Sequence, residues 1–346
     1  MNKITKFKKN NATKEASYTS TGDKILWHKL AIKDLKKKKN HPIVMHIMPT
    51  EVCNLKCVFC SVAQRGAEGR LLPDLTMEQI KNVVGTFKSF GLKAVILSGG
   101  GDPTMFPQIN ELIEYLYFQG LQIGIITNGV ALNRTIKSNN LKLLTWVRIS
   151  INSFDYLPDI EIPQLSNKTV LGFSYIWNSL TKKDILERIR EKIKQISLNN
   201  KVTYVRLLPD CNLKTTELEE AHKKLRKVAE ELGEPFFHQY KTHNMPLECH
   251  LGRLHPVLYT DGYIYPCDSL VLNSPADDKK FHRDFALCRW DEVKDFYSKK
   301  IDGSLLDTNK CPHCVFARQN LLISDIIYGN ELPPLGQEKP QHINFI

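Results

Sequence analysis

Short runs of β-branched and apolar residues alternate with amphipathic helical stretches along most of this chain, and that alternation limits its fold more than any other feature. Strands are expected at 43–48, 93–98, 121–127, 146–151, 169–177 and 202–208, with helices at 76–90, 108–119, 134–143, 182–197 and 214–232 between or after them. The helix at 76–90 has the clearest ends: Thr76 caps it, Glu78 sits in its first turn and Gly91 lies just past its last. Such a βαβα series calls for a parallel sheet of the α/β class. Six strands fit a partial (βα)6 parallel barrel, since a full eight-stranded barrel would need two further units. With 346 residues, 42% of them hydrophobic, the chain can bury such a core and still build a smaller second unit.

In parallel barrels the loops at the C-terminal strand ends converge on one mouth, where reactive groups gather. Five segments follow strand ends in this way: the loop with Cys53, Cys57 and Cys60, the turn Gly99-Gly100-Gly101-Asp102, Thr127-Asn128-Gly129, the run Arg148 to Asn152, and Pro209-Asp210-Cys211. The three cysteines lie in Glu51-Val52-Cys53-Asn54-Leu55-Lys56-Cys57-Val58-Phe59-Cys60. Thiolates spaced four and then three apart can hold three corners of a cubane iron–sulfur cluster and leave its fourth iron without a protein ligand. Zinc sites and disulfides also use short cysteine clusters. Nine cysteines, an odd number without a secretion signal, argue for metal ligation over disulfides.

The CxxxCxxC loop with an aromatic before its last cysteine, the glycine-rich strand end and the Thr-Asn-Gly turn together resemble the radical S-adenosylmethionine (radical SAM) enzymes, over roughly residues 43–210. The resemblance implies a 4Fe–4S cluster on Cys53, Cys57 and Cys60, with S-adenosylmethionine bound at the open iron. One electron would then release a 5′-deoxyadenosyl radical that abstracts a substrate hydrogen. It further implies that Gly100, Gly101 and Asp102 meet the methionine amino group, with Gly99 part of the same cofactor-binding turn and Asp102 standing where the family most often has Glu. Phe59 would lie against the adenine. Asn128, Ser150 and Asn152 would contribute polar contacts to the cofactor, although Ser150 and Asn152 also suit a plain strand end. Cys211 would face the mouth as a hydrogen-atom donor or further ligand, or else be an inert buried thiol.

A second constellation follows. Cys249 and Cys267 flank an Asp261-Gly262 turn set between alternating apolar residues, which reads as a β-hairpin bringing the two cysteines together, and Cys311-Pro312-His313-Cys314 adds a thiol pair. This resembles the twitch domain, the short form of the SPASM domain, and implies one auxiliary 4Fe–4S cluster. A structural zinc would use the same four thiolates. Cys288, in an apolar neighbourhood, is expected to be a packed free thiol, and His313 to point to solvent.

The net charge of +11 is unevenly placed. Residues 1–40 hold twelve Lys against three acids, a net +9, which leaves +2 for the rest. Three units follow: a basic N-terminal arm at 1–40, the barrel at 41–235, and the auxiliary-cluster unit with its tail at 236–346. The arm includes an amphipathic helix offering Ile25, Leu26, Trp27, Leu30, Ile32 and Leu35 for packing. Its lysines suit nucleic-acid phosphates or a flavodoxin- or ferredoxin-type reductant, and equally a solvated tail. No apolar run is long enough to span a bilayer, so a cytoplasmic, non-membrane protein is expected. Only 52 residues precede Cys53, which disfavours peptide work. A small polar substrate such as a sugar, amino acid or nucleotide is the leading expectation, for oxidation or rearrangement. The alternatives are a nucleobase within a nucleotide, DNA or RNA, and a non-catalytic iron–sulfur or zinc protein.

Overall fold

In the computed structural model the described residues are 14, 17–19, 22–60, 62, 71–181, 183–210, 213, 215–240, 244, 247–272, 281–311 and 314–346. Seven parallel strands run in sequence order across one sheet: β1 (Val44–Ile47), β2 (Ala94–Leu97), β3 (Gln122–Thr127), β4 (Trp146–Ser150), β5 (Val170–Trp177), β6 (Val202–Pro209) and β7 (Phe236–His238). The six expected strands are all present within a residue or two of their expected ends. β7, at three residues, is too short to leave a periodic signal.

Helices α1 (Lys29–Leu35), α2 (Met77–Phe90) and α3 (Ile109–Phe118) precede or connect the first strands. After β3 come α4 (Leu132–Thr135) and α5 (Ser138–Leu141), two single turns where one helix over 134–143 was expected. Ile136, with extended backbone, breaks the helix between them. Next are α6 (Lys183–Ile196) and α7 (Thr215–Leu232). The Thr76 hydroxyl caps α2 by accepting from Gln79 N at 3.2 Å, the Gln79 side chain returns the bond to Thr76 N, and Gly91 closes the helix in the left-handed region at φ 115°.

The chain after β7 does not stand apart from this sheet. β8 (Val257–Leu258) pairs parallel to β1, β9 (Tyr263–Tyr265) pairs antiparallel to β8, and β10 (Cys288–Arg289) antiparallel to β9. The order is therefore β10, β9, β8, β1 through β7, with no pairing between the two edges among the described residues, and the barrel is open. Around the hairpin lie α8 (Asp268–Leu272), α9 (Val293–Ser298) and α10 (Ala317–Tyr328).

Strand residues alternate between two faces. Met45, Ile47, Val95, Leu97, Ile123, Ile125, Val147, Ile149, Leu171 and Phe173 point outward into one large core under the helices. Val44, Ala94, Ile96 and Trp146 point inward. There the open barrel is filled from both ends of the described chain: Ile25, Ala31 and Leu35 from the N-terminal segment and Phe345 and Ile346 from the last residues join that inner core. Tyr18 stacks on Tyr204 of β6 at 4.8 Å, and Phe345 meets Trp146 edge-on at 5.2 Å. Of the apolar residues offered by the helix at 29–35, Leu35 is buried whereas Leu30 is 67% exposed, so only one flank of that helix is used.

Candidate functional site

The loop leaving β1 carries the three cysteines over the strand ends, and backbone bonds tie it to the turn leaving β2. Gly101 N donates to Thr50 O and Asp102 N to Val52 O, each at 3.0 Å. The contact is so close that a Cβ on Gly101 would lie 2.1 Å from Val52 O and 2.5 Å from Glu51 C. A Cβ on Gly99 would meet Gly101 O at 2.4 Å, while Gly100 faces the Glu51 side chain and the Tyr259 hydroxyl at 3.2 Å. The glycines thus let two backbones cross where side chains would hold them apart.

Asp102 is 3% exposed, and protein donors occupy both of its oxygens. Oδ1 accepts from Thr104 N at 2.9 Å and from the Thr104 hydroxyl at 2.5 Å. The Thr127 hydroxyl donates to the carboxylate at 2.9 Å, and Asn128 N donates to Oδ2 at 2.6 Å. The carboxylate therefore holds the β2 and β3 loops together. In the β3 loop, Gly129 adopts φ 82°, which a side chain rarely tolerates, and the Asn128 amide donates to Asn54 Oδ1 at 2.6 Å and to Cys53 Sγ at 3.6 Å. Asn128 was expected near the cofactor; the structure also makes it a donor to a cysteine sulfur.

Cys53 is exposed and Cys57 and Cys60 half-buried. Their thiols share one electrostatic neighbourhood: burial, then the charges of Cys60 and Cys53, push Cys57 up to about 12. A cationic cluster relieves that mutual repulsion by binding the thiolates. Cys60 N donates to Cys57 O at 3.0 Å, and Val58 N to the Tyr156 hydroxyl at 2.8 Å, so a residue beyond β4 steadies the loop.

A cavity of about 790 Å³ opens beside the three cysteines. Gly99 to Asp102, Thr127, Asn128 and Ser150 also line it, so these expected site residues share one space. Phe59 is half-buried and lies outside the lining. Asn152 differs from expectation: 1% exposed, it accepts from Ile176 N at 2.7 Å and donates to Ile176 O and Asp155 Oδ2 at 2.9 Å. Its amide joins the ends of β4 and β5 and does not reach the cavity. Cys211 and His313 lie outside the described residues.

The hairpin expected at Asp261-Gly262 is present, with Gly262 at φ 79°. Cys249 is buried, and Cys267, Cys311 and Cys314 are half-buried. Electrostatics link them in a chain: burial and then Cys314 and Cys311 raise Cys249, burial and then Cys249 raise Cys267, and burial and then Cys314 push Cys311 up to about 11. Asn320 of α10 binds this neighbourhood together, its carbonyl accepting from His250 N at 2.6 Å and Leu251 N at 2.9 Å while its amide donates to Cys314 Sγ at 3.6 Å. Cys288 is a packed thiol in the outer core. Among the described residues no three His, Cys, Asp or Glu side chains form a single-ion site.

Several contributors carried no motif. Glu51, buried, accepts from Leu72 N at 2.8 Å and from the Tyr259 hydroxyl, which joins the C-terminal hairpin to the cysteine loop. His46, Arg148 and Arg206 line the cavity from β1, β4 and β6. Strand alternation places them on the inner face, but only the register shows that they meet.

Residues 47–171 match the family described as the Radical SAM superfamily. That span is a radical SAM domain, and the relatives that the chain matches are named as enzymes. It is 28% identical over 164 residues to the S-adenosylmethionine-dependent nucleotide dehydratase of Flammeovirga pacifica, covering 47% of this chain and 54% of that one. Over 124 residues it is 32% identical to the GTP 3′,8-cyclase of Aquifex aeolicus, covering 34% and 38%. Streptococcus suis SuiB bound to precursor peptide SuiA superposes with a TM-score of 0.49 at 15% identity, over 78% of this chain and 69% of that one. The match to the dehydratase spans about half of that relative's length. No described helix is long and apolar enough to cross a membrane.

Proposed function

We propose that this protein cleaves S-adenosylmethionine reductively at a cluster held by Cys53, Cys57 and Cys60 and removes a hydrogen from a small polar substrate bound in the barrel, for oxidation or rearrangement. The observation that carries this reading is the convergence of the three thiols, the Gly99–Asp102 turn and Thr127–Asn128 on one cavity at the strand ends. Cluster and S-adenosylmethionine together would supply the radical that breaks a substrate C–H bond.

The chain's own part is placement. Gly101 lets the cysteine loop lie against the β2 loop, Asp102 locks β2 to β3 through Thr127 and Asn128, and Asn128 aims its amide at Cys53 Sγ. Ser150, half-exposed at the end of β4, is the polar group offered to the cofactor from that strand, a contact Asn152 is too occupied to make. Terminal segments packed inside the barrel shield the cavity from bulk water, which would otherwise compete as a reaction partner. Nucleotides come first among the polar substrates, because two relatives are named for nucleotide chemistry. Cys249, Cys267, Cys311 and Cys314 would hold an auxiliary 4Fe–4S cluster that accepts an electron or anchors substrate.

The test is anaerobic purification and reconstitution, with iron and sulfide counted beside 5′-deoxyadenosine formed under dithionite. The wild type should hold about eight irons, and Cys53→Ala/Cys57→Ala/Cys60→Ala about four with no nucleoside formed. Nucleoside formation that survives the triple substitution would overturn the reading. Four irons in the wild type and none in the variant would remove the auxiliary cluster from it.

A further inference from the structure

The cavity wall away from the cysteines is built for negative charge. Arg148 on β4 and Arg206 on β6 line it, and Lys24 enters from the N-terminal segment. β5 runs between the two arginine strands, with Arg148 opposite Gly172 and Arg206 opposite Ser174, so the inner face between them carries a glycine and a serine. Two interstrand spacings separate them laterally, roughly 10 Å.

Two other charged groups of this cavity are engaged elsewhere. The fourth lining cation, Arg318, stands 3.5 Å from Asp23, and Asp102 is occupied by Thr104, Thr127 and Asn128. Asp268 also lines the cavity, next to the cysteine at 267. Lys24 Nζ donates to three carbonyls, those of Ser17 and Thr19 at 2.9 Å and of Phe345 at 3.1 Å, and Arg206 Nη1 donates to Gln239 Oε1 at 2.8 Å. These acceptors position the two side chains, and burial lowers the Lys24 pKa to about 7.

Arg148 has less. Its guanidinium lies over the Trp146 ring, 5.6 Å from the centroid, and makes no hydrogen bond or ion pair with a described residue, while its Nε is buried without an acceptor. A buried donor left unmade is costly, and a guanidinium presents a fork that matches a phosphate with two parallel bonds. The aromatic face holds the fork's plane, so little freedom is lost on binding.

Building on the proposed radical chemistry, we propose that the substrate is a phosphorylated small molecule whose phosphate is gripped by Arg148, with Arg206 lining the same wall across β5. Arg148 stands two residues before Ser150 on β4, deeper in the barrel than the strand-end turns. The phosphate would thus be the buried end of the substrate and its reacting carbon the end toward the cysteines.

The experiment uses the reconstituted full-length protein, with inorganic pyrophosphate as probe by titration calorimetry and labelled S-adenosylmethionine by equilibrium dialysis. Saturable pyrophosphate binding is expected, weakened about tenfold or more in Arg148→Gln, the equivalent of one lost charge-assisted hydrogen bond. S-adenosylmethionine binding and iron content should not change. Arg148→Lys keeps the charge and loses the fork, so intermediate affinity is expected, and wild-type affinity in that variant would overturn the proposal. So would an absence of saturable binding, or equal binding by wild type and Arg148→Gln. Loss of S-adenosylmethionine binding in Arg148→Gln with pyrophosphate binding intact would assign the guanidinium to the cofactor's carboxylate and also overturn it. Failure of the radical reading shows separately, in iron count and 5′-deoxyadenosine.

Discussion

Gly101 states the residue-scale lesson most clearly. A cofactor contact was expected of it, and the structure gives it a steric task, since any Cβ would run into the backbone of Glu51 and Val52. Gly101→Ala should therefore displace the cysteine loop, lowering thermal stability by the equivalent of about 1–3 kcal/mol and cutting iron retention at the N-terminal cysteines. Unchanged iron content would show that the loop accommodates the methyl group. His46 offers a second residue-scale prediction. Burial, and then Arg148, holds its pKa down at about 3, and burial followed by His46 holds neighbouring His255 at about 3. Between about 3 and the ordinary 6.5 the unfolded chain binds protons that the folded chain refuses. Stability should therefore rise with pH across that window and fall on acidification, by up to about 1.4 kcal/mol per pH unit for each histidine. Denaturant titrations at pH 7 and pH 4 should show a smaller loss in His46→Gln than in the wild type.

At the scale of elements, the strands and long helices were legible because each carries its own period and caps. Thr76, Gln79 and Gly91 mark the two ends of α2 without help from the rest of the molecule. β7 and the two single-turn helices were not, since three or four residues hold at most about one and a half periods, too few repeats to stand out from the neighbouring sequence. The hairpin turn was legible from Asp261-Gly262, but its destination was not: β8 lies along β1 and delivers Tyr259 to Glu51 in the cysteine loop. Tyr259→Phe removes that hydroxyl and should destabilise the loop by about 1.5–3 kcal/mol, the range for a hydrogen bond to a charged group. The readout is faster iron release to a chelator, and release at the wild-type rate would mean that the hairpin holds the loop by packing alone.

For the whole molecule, the open barrel depends on segments far apart in sequence to fill its inner face. Ile25 and Leu35 are fully buried there together with Ile323 and Ile326 of α10. Deleting residues 1–28 should thus cost more than the loss of a charged tail: removing Ile25 alone from a packed core is worth about 2–5 kcal/mol. A melting temperature unchanged by the deletion would show that the N-terminal segment is not part of the fold. Any test of nucleic-acid binding by the basic residues is therefore better made by neutralising Lys36, Lys37 and Lys39, which are exposed, than by truncation. The sequence by itself determined the parallel α/β class, the cysteine loop, the glycine-rich turn and the Thr-Asn-Gly turn, because each of these is a local pattern of spacing or backbone freedom. Only the tertiary structure decided that Asp102 spends its carboxylate on two loops, that Asn152 turns away from the cavity, and that Arg148 faces it with no hydrogen bond or ion pair to a described residue. Those outcomes depend on strand register and on which distant segment arrives opposite, and neither is written in the spacing of neighbouring residues.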